Sequence, residues 1–364
     1  MKNLLIVLGN CGTQIAKAVA NSPRLPEEAL SIYAIDSQTG NVDMDTIARI
    51  NVIPIVSDEK NGSGRNRQRG EAMYKYHEEN GAFDEMYKEA ENSKAPVLVV
   101  TSAAGGTGSG ACVPVCSALL SRGIQVIPII ICPNMEDPDA YHLNTNDLLL
   151  ELADAGIETY SLFRNPKNTA NYTPINNDVV KLIEIILGKC YDKTVRDSID
   201  DSDLDVVLSL PGRFIAVAAE ASNVDNLRKE ITRKVLNGSQ PAWTPEDSEN
   251  STLITAYSIK SAYADDDFHE VFKDINARIT KAPFDQYSNI VNDDNNGEMT
   301  ATVIVAGLPR GEIKIIDSQF KEASSIGAGM NKSARPSFMT RKKATISSDT
   351  KDKDGDPVKR FRWK

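Results

Sequence analysis

The chain has 364 residues, 41% hydrophobic, 25% charged and 6% aromatic, with a formal net charge of −10. That length exceeds what one hydrophobic core usually serves, so two domains are expected, and the apolar fraction excludes a mostly disordered or collagen-like chain. No apolar run is long enough to cross a bilayer, and the opening MKNLLIVLGN turns glycine-rich too soon for a secretory signal.

Five scattered cysteines (Cys11, Cys112, Cys116, Cys132, Cys190) form no disulfide framework. Three histidines and no Cys-x-x-Cys argue against a histidine or thiolate metal centre. A soluble, reduced, cytoplasmic protein with no membrane partner is expected. The charge is uneven. From Lys332 to Lys364 eleven Lys and Arg face four Asp, about +7, which leaves about −17 on the rest. The acidic body would repel a DNA backbone, whereas the tail could meet an anionic partner.

In chain order, residues 4–8 read as a short buried strand ending at Gly9, and 15–20 as helix. Residues 30–35 are a second strand, closed by Asp36, and 68–93 are rich in helix formers. PVLVVT at 96–101 is a fully apolar strand of the kind buried in a parallel sheet. After a glycine cluster, 111–120 reads as helix and 125–132 as strand. This alternation predicts an α/β domain with right-handed crossovers, whose ligands sit at the carboxyl ends of the strands.

Residues 177–193 are apolar on nearly every face, which predicts a buried helix between two domains. Strands at 213–219, 252–261 and 300–306 and a helix at 268–279 then predict an α+β unit. Beyond Asp317 periodicity fades and a mobile tail is expected. The expected organisation is an α/β ligand-binding domain (1–175), a central helix (176–194), an α+β domain (195–316) and a basic extension (317–364).

The most specific segment is Ala104-Gly105-Gly106-Thr107-Gly108-Ser109-Gly110, between a buried strand and a helix. Glycines let backbone amides approach phosphate oxygens, Thr107 and Ser109 add hydroxyls, and the helix presents its amino terminus to negative charge. It is not Walker A, which needs a Lys after the glycines, nor a dinucleotide fingerprint. The turn at Gly9 lacks a full Gly-x-Gly-x-x-Gly, so an oxidoreductase reading fails.

The segment resembles the signature loop of the tubulin/FtsZ superfamily at all seven positions, a chance match on the order of 10⁻⁵ at average composition. The resemblance implies a tubulin-like α/β fold with a Rossmann-type GTP-binding domain, and a GTPase that binds GTP and GDP with Mg²⁺ held through the phosphates. Gly9-Asn10-Cys11-Gly12-Thr13-Gln14 looks like the family's first nucleotide loop, with Cys11 as packing under the base or ribose rather than a nucleophile. Asp36 is placed either to reach the metal or its waters or to cap its own turn. Gly62-Ser63-Gly64-Arg65-Asn66 resembles the loop that senses the terminal phosphate, and Arg65, Arg67 and Arg69 there favour an anion. Pro133 opens a loop whose carboxylates, Glu136 or Asp137, suit ribose hydroxyls. Asn165, with Asn177 and Asp178 at the opening of the buried helix, takes the family position for guanine contact; the last two could also cap that helix.

In the family, acids after the central helix enter the next subunit's site and position the attacking water. The segment from Ile199 to Val206 aligns with that pattern and picks out Asp200 and Asp203, or else an acidic run favouring a helix dipole. Head-to-tail stacking would then complete the site and generate a homopolymer filament. A diverged body with a basic end is most similar to the plasmid- and phage-encoded homologues of TubZ and PhuZ type. That implies plasmid DNA segregation or phage positioning, with residues 332–364 binding an adaptor protein or a neighbouring subunit and DNA engaged indirectly. The competing reading is a guanine-nucleotide-binding scaffold that does not hydrolyse.

Overall fold

The computed structural model describes residues 2–38, 48–56, 62–93, 95–134, 136–167, 171–187, 199, 201–240, 254–261, 272–273, 285–292, 299–308, 345–351 and 357–362. The first half alternates as the hydrophobic pattern requires. It runs β1 (Asn3–Leu8), α1 (Gly9–Ala20), β2 (Leu30–Asp36), β3 (Ile50–Pro54), α2 (Arg67–Glu79), α3 (Asp84–Ala90) and β4 (Val97–Ser102), then α4 (Thr107–Leu120), β5 (Val126–Cys132), α5 (Asp139–Asp154) and β6 (Thr159–Arg164). The strands lie in the order β3-β2-β1-β4-β5-β6, all parallel.

Successive residues of a strand face opposite sides of the sheet, and here both sides are covered. Leu5 and Val7 join Ile15, Val19, Leu98, Val100 and Leu182 in one cluster. Leu4, Ile6 and Leu8 join Met73, Tyr74, Met86 and Val115 in the other. A sheet covered on both faces selects continuous apolar runs, which is why 4–8 and 96–101 were readable as strands.

The second half contains α6 (Thr173–Leu187), α7 (Asp201–Ser209), β7 (Gly212–Ala221), α8 (Val224–Asn237), β8 (Ile254–Ser261), β9 (Asp285–Asn292) and β10 (Met299–Leu308). Its strands extend the same sheet as β7-β10-β8-β9, with β10 antiparallel to both β7 and β8. Leu227, Ile231 and Val235 of α8 pack with Ile215, Tyr257, Val303 and Val305. Of the helix expected at 268–279, only Phe272 and Lys273 fall among the described residues, and both are helical. Within the basic extension, β11 (Thr345–Lys351) and β12 (Pro357–Arg362) pair antiparallel as a separate two-stranded sheet.

The central helix is buried along its whole carboxyl half, residues 182–187, including Glu184. That carboxylate accepts from Ser22 Oγ at 2.7 Å and pairs with Lys181 at 3.1 Å, as a buried charge requires. At 15 residues, α6 is roughly 22 Å long. It starts beyond the carboxyl end of β6, and the Leu187 carbonyl accepts from Asn3 Nδ2 (3.2 Å) at the start of β1. The helix therefore carries the chain from one end of the parallel strands to the other.

Candidate functional site

Strand order reverses between β1 and β4, and the crevice at the carboxyl ends of two such strands is where open α/β sheets hold ligands. Both turns at that crevice are glycine turns. Gly9 follows Leu8 directly, at φ +69°, and opens α1. A Cβ on Gly9 would lie 3.1 Å from the Gly108 amide nitrogen, and one on Gly108 would lie 2.6 Å from both the Leu8 carbonyl oxygen and Thr101 Oγ1. The two turns thus touch along bare backbone.

The glycine motif is less of a loop than its composition suggests. Helix α4 begins at Thr107, four residues before the expected start at 111, so Thr107-Gly108-Ser109-Gly110 is its first turn and Gly106 its cap. Ala104 and Gly105 form the turn out of β4. Neither α1 nor α4 has a side-chain cap or an acidic residue in its first turn. By contrast, Asn66 caps α2 by accepting from the Arg69 amide at 3.0 Å. Two helix termini with uncapped amides and no neutralising carboxylate in their first turns form an anion cradle.

A third wall comes from residues 62–66. The Gly62 amide donates to the Ser37 carbonyl (3.2 Å), Thr107 Oγ1 donates to Ser63 Oγ (3.0 Å), and Thr107 also hydrogen-bonds Ser37 Oγ at 2.6 Å. A Cβ on Gly106 would collide with Ser63 Oγ and the Asn66 amide, and one on Gly110 would collide with the Arg67 carbonyl. Asn144 Nδ2, from α5, donates to the carbonyls of Arg65 and Ala104, each at 3.1 Å. The expected positions Gly9, Asn10, Cys11, Gly12, Gln14, Asp36, Gly62 and Gly64 and the segment from Ala104 to Gly110 therefore converge on one end of the sheet.

Individual side chains refine this. Asp36 is 4% exposed, and its Oδ1 accepts from the amides of Ser37 (2.7 Å) and Gln38 (3.4 Å), so it caps its turn. Cys11 packs against the core with its thiol pushed up to about 12 by burial, which suits packing and not nucleophilic chemistry. Gln14 Nε2 donates to Asn10 Oδ1 at 3.4 Å on the exposed face of α1. Pro133 is buried after β5, and Asp137 Oδ2 accepts from the Asn134 amide (2.9 Å), closing that loop on itself. The Asn165 amide donates to the Cys132 carbonyl (3.0 Å), which ties the ends of β6 and β5 together.

Helix α6 begins at Thr173, so Asn177 and Asp178 lie in its second turn and do not cap it. The Thr173 amide is instead accepted by Asn171 Oδ1 at 3.0 Å. Sequence reasoning passed over Ser37, Asn144, Tyr141 and Tyr172. Tyr172 lies just before α6 with 48% of its surface exposed, an aromatic face at the same end of the sheet.

Asp203 lies in the first turns of α7, half-buried, and Asp200 falls outside the described residues. The far end of α7 is fastened to the starts of the strands. Gln125 Nε2 donates to Ser209 Oγ (3.2 Å), and Thr159 Oγ1 to the Leu210 carbonyl (3.0 Å). The carboxyl end of α7 therefore lies at the end of the sheet opposite the glycine turns. Among the described residues no group of three His, Cys, Asp or Glu is placed to hold a metal ion, and no helix is long and apolar enough to cross a membrane.

No protein-family model and no curated relative matches the sequence. Solved structures do match. CetZ2 from Haloferax volcanii, seen as a GTPγS-bound protofilament, has a TM-score of 0.68 at 16% identity, covering 90% of this chain and 99% of that one. TubZ of Clostridium botulinum phage c-st gives 0.66 at 13% identity, covering 91% and 100%. The FtsZ dimer of M. jannaschii gives 0.62 at 17% identity, covering 84% and 88%. These neighbours are tubulin/FtsZ superfamily members, and the chain described here has the tubulin/FtsZ fold.

Proposed function

We propose that the protein is a filament-forming GTPase whose active centre is divided between successive subunits. The reading is carried by one observation, the anion cradle of Gly9 and residues 104–110 at one end of the sheet, with the carboxyl end of α7, the helix that the acids open, fastened at the other. GTP supplies the negative charge that the uncapped amides of α1 and α4 attract. Asn165, Asn177 and Asp178, at the carboxyl end of β6 and the start of α6, carry the donors and acceptors that select guanine, and Tyr172 offers its ring to the base. With Asp36 committed to its turn, the cradle offers amides and hydroxyls rather than carboxylates. Mg²⁺ fits there through phosphate oxygens and water and supplies charge neutralisation when bound.

Phosphoryl transfer depends chiefly on positioning and charge stabilisation. Asp203, with Asp200, would orient the attacking water in the cradle of the adjoining subunit, so that one monomer alone hydrolyses poorly. A heterologous contact of this kind propagates into a filament, and the protofilament form of CetZ2 supports that reading. The phage-borne TubZ neighbour and the basic residues 332–364 support a cytoplasmic filament that moves plasmid DNA or phage particles, with the tail engaging an acidic adaptor or a neighbouring subunit. A second reading, a non-hydrolysing guanine-nucleotide scaffold, is favoured by the acids standing in the first turn of α7, where they suit the helix dipole.

Light scattering and phosphate release, followed against protein concentration with GTP, separate the two. The filament reading expects a threshold concentration for both signals. It also expects Asp203→Ala to assemble while hydrolysing on the order of 10²-fold more slowly. Turnover per molecule that stays flat with concentration would overturn it.

A further inference from the structure

Three backbone carbonyls from two separate turns converge on one side chain. Asn144 Nδ2 donates to the Arg65 carbonyl and to the Ala104 carbonyl at 3.1 Å each, and lies 3.4 Å from the Gly105 carbonyl. An amide nitrogen has two hydrogens, so the first two contacts use both and the third shares one. Ser109 Oγ also donates to the Gly105 carbonyl. The core contacts of α5 come from other residues, His142, Thr145, Leu148 and Leu152, so Asn144 is not needed to pack the helix.

A trans peptide is planar, with the N–H of each residue antiparallel to the carbonyl before it. Turning the Ala104 and Gly105 carbonyls towards Asn144 therefore sends the amides of Gly105 and Gly106 away from α5. Among the described residues no acceptor takes the Gly106 amide, which stands directly before the first turn of α4. Glycine has the widest conformational freedom, so the orientation of these two peptides depends on what grips their carbonyls. The facing turn is tied to α5 as well. Arg65 holds a φ of +61°, which costs an arginine energy; Asn144 fixes its carbonyl, and its guanidinium lies 4.7 Å over the ring of Tyr141, three residues earlier on α5.

Resting on the guanine-nucleotide reading above, we infer that Asn144 is a positioning residue, a clamp behind the glycine turn that aims its amides at the phosphates without touching the nucleotide. The clamp acts on the phosphate groups alone. Base and ribose are met by other segments, so losing it weakens phosphorylated ligands and spares the bare nucleoside.

Asn144→Leu keeps the approximate size and removes both donors; Asn144→Gln keeps the donors on a longer stem. Each is titrated with fluorescent GDP beside the wild type. Unlabelled GDP, GTPγS and guanosine are then ranked by displacement, with melting curves as a control for folding. Asn144→Leu is expected to bind GDP and GTPγS about tenfold more weakly, with guanosine within about twofold of its wild-type affinity; Asn144→Gln should fall between. Guanosine weakened as much as the nucleotides marks a general loosening of the fold and overturns the assignment, as does a variant that binds all three normally. Either result leaves the guanine-nucleotide reading standing. Should Asn144→Leu not fold, the same comparison on Asn144→Gln decides: loss confined to GDP and GTPγS supports the clamp, and an even loss or none overturns it. Wild-type protein that binds neither nucleotide overturns that reading itself, and the clamp with it.

Discussion

Gly108 carries more of the site's geometry than any side chain in it. Its missing Cβ is what allows α4 to start against the end of β1, since a methyl there would stand 2.6 Å from the Leu8 carbonyl oxygen and from Thr101 Oγ1. Gly108→Ala must push α4 away from β1, at a cost of about 1–3 kcal/mol in chemical unfolding, and nucleotide affinity should fall with it. Gly64 is a useful contrast, for no atom lies within 4 Å of where its Cβ would go, although its φ of +62° also suits glycine. Both glycines belong to segments whose composition marked them as ligand loops. That one separates two pieces of backbone and the other merely turns was invisible in composition, because the difference lies in what comes back from elsewhere in the chain. The same holds for Asn144, an ordinary polar position on α5 until the fold brings the carbonyls of Arg65 and Ala104 to it.

At the scale of elements, the seam between α2, α4 and α5 holds the third wall in place. Arg67, 7% exposed, pairs with Glu151 of α5 and donates to the Ser109 carbonyl of α4 at 3.2 Å. Arg67→Met keeps the apolar stem and removes both ties, so it should destabilise by about 1–3 kcal/mol in chemical unfolding while Glu151, half exposed, stays hydrated. The sequence made the buried strands and the central helix legible because their apolar runs are long or cover every face. It missed β3, a five-residue edge strand half exposed to water, and β9, the opposite edge of the sheet. It also started α4 late, since four glycines read as a breaker, whereas here glycines in the first turn are kept for contact with β1 and α2.

For the molecule as a whole, stability should depend on pH through one buried imidazole. His142, 4% exposed in α5, is held below its ordinary value by burial, helped by Arg164 and opposed by the Asp137 backbone and the carboxylates of Asp137 and Asp139. The unfolded chain therefore binds this proton more readily, so the stability is fully present above about pH 6.5 and is lost as pH falls below it. Melting temperatures measured from about pH 8 to pH 5 should decline over the acidic part of that range, and His142→Gln should flatten that decline. A wild-type profile flat to pH 5 would count against a neutral, buried His142.

What the sequence by itself determined was the local chemistry: apolar strands, a helix buried all round, glycines placed to admit phosphate, and acids following the central helix. These are properties of neighbouring residues, and hydrophobic period and glycine content report them directly. Only the tertiary structure decided where they stand relative to one another. The reversal of strand order between β1 and β4 brings two glycine turns into contact, while α6, roughly 22 Å long, takes the chain to the other end of the sheet before the acids appear. Distance across a sheet is set by crossovers and packing between residues far apart in sequence, so no local pattern can encode it.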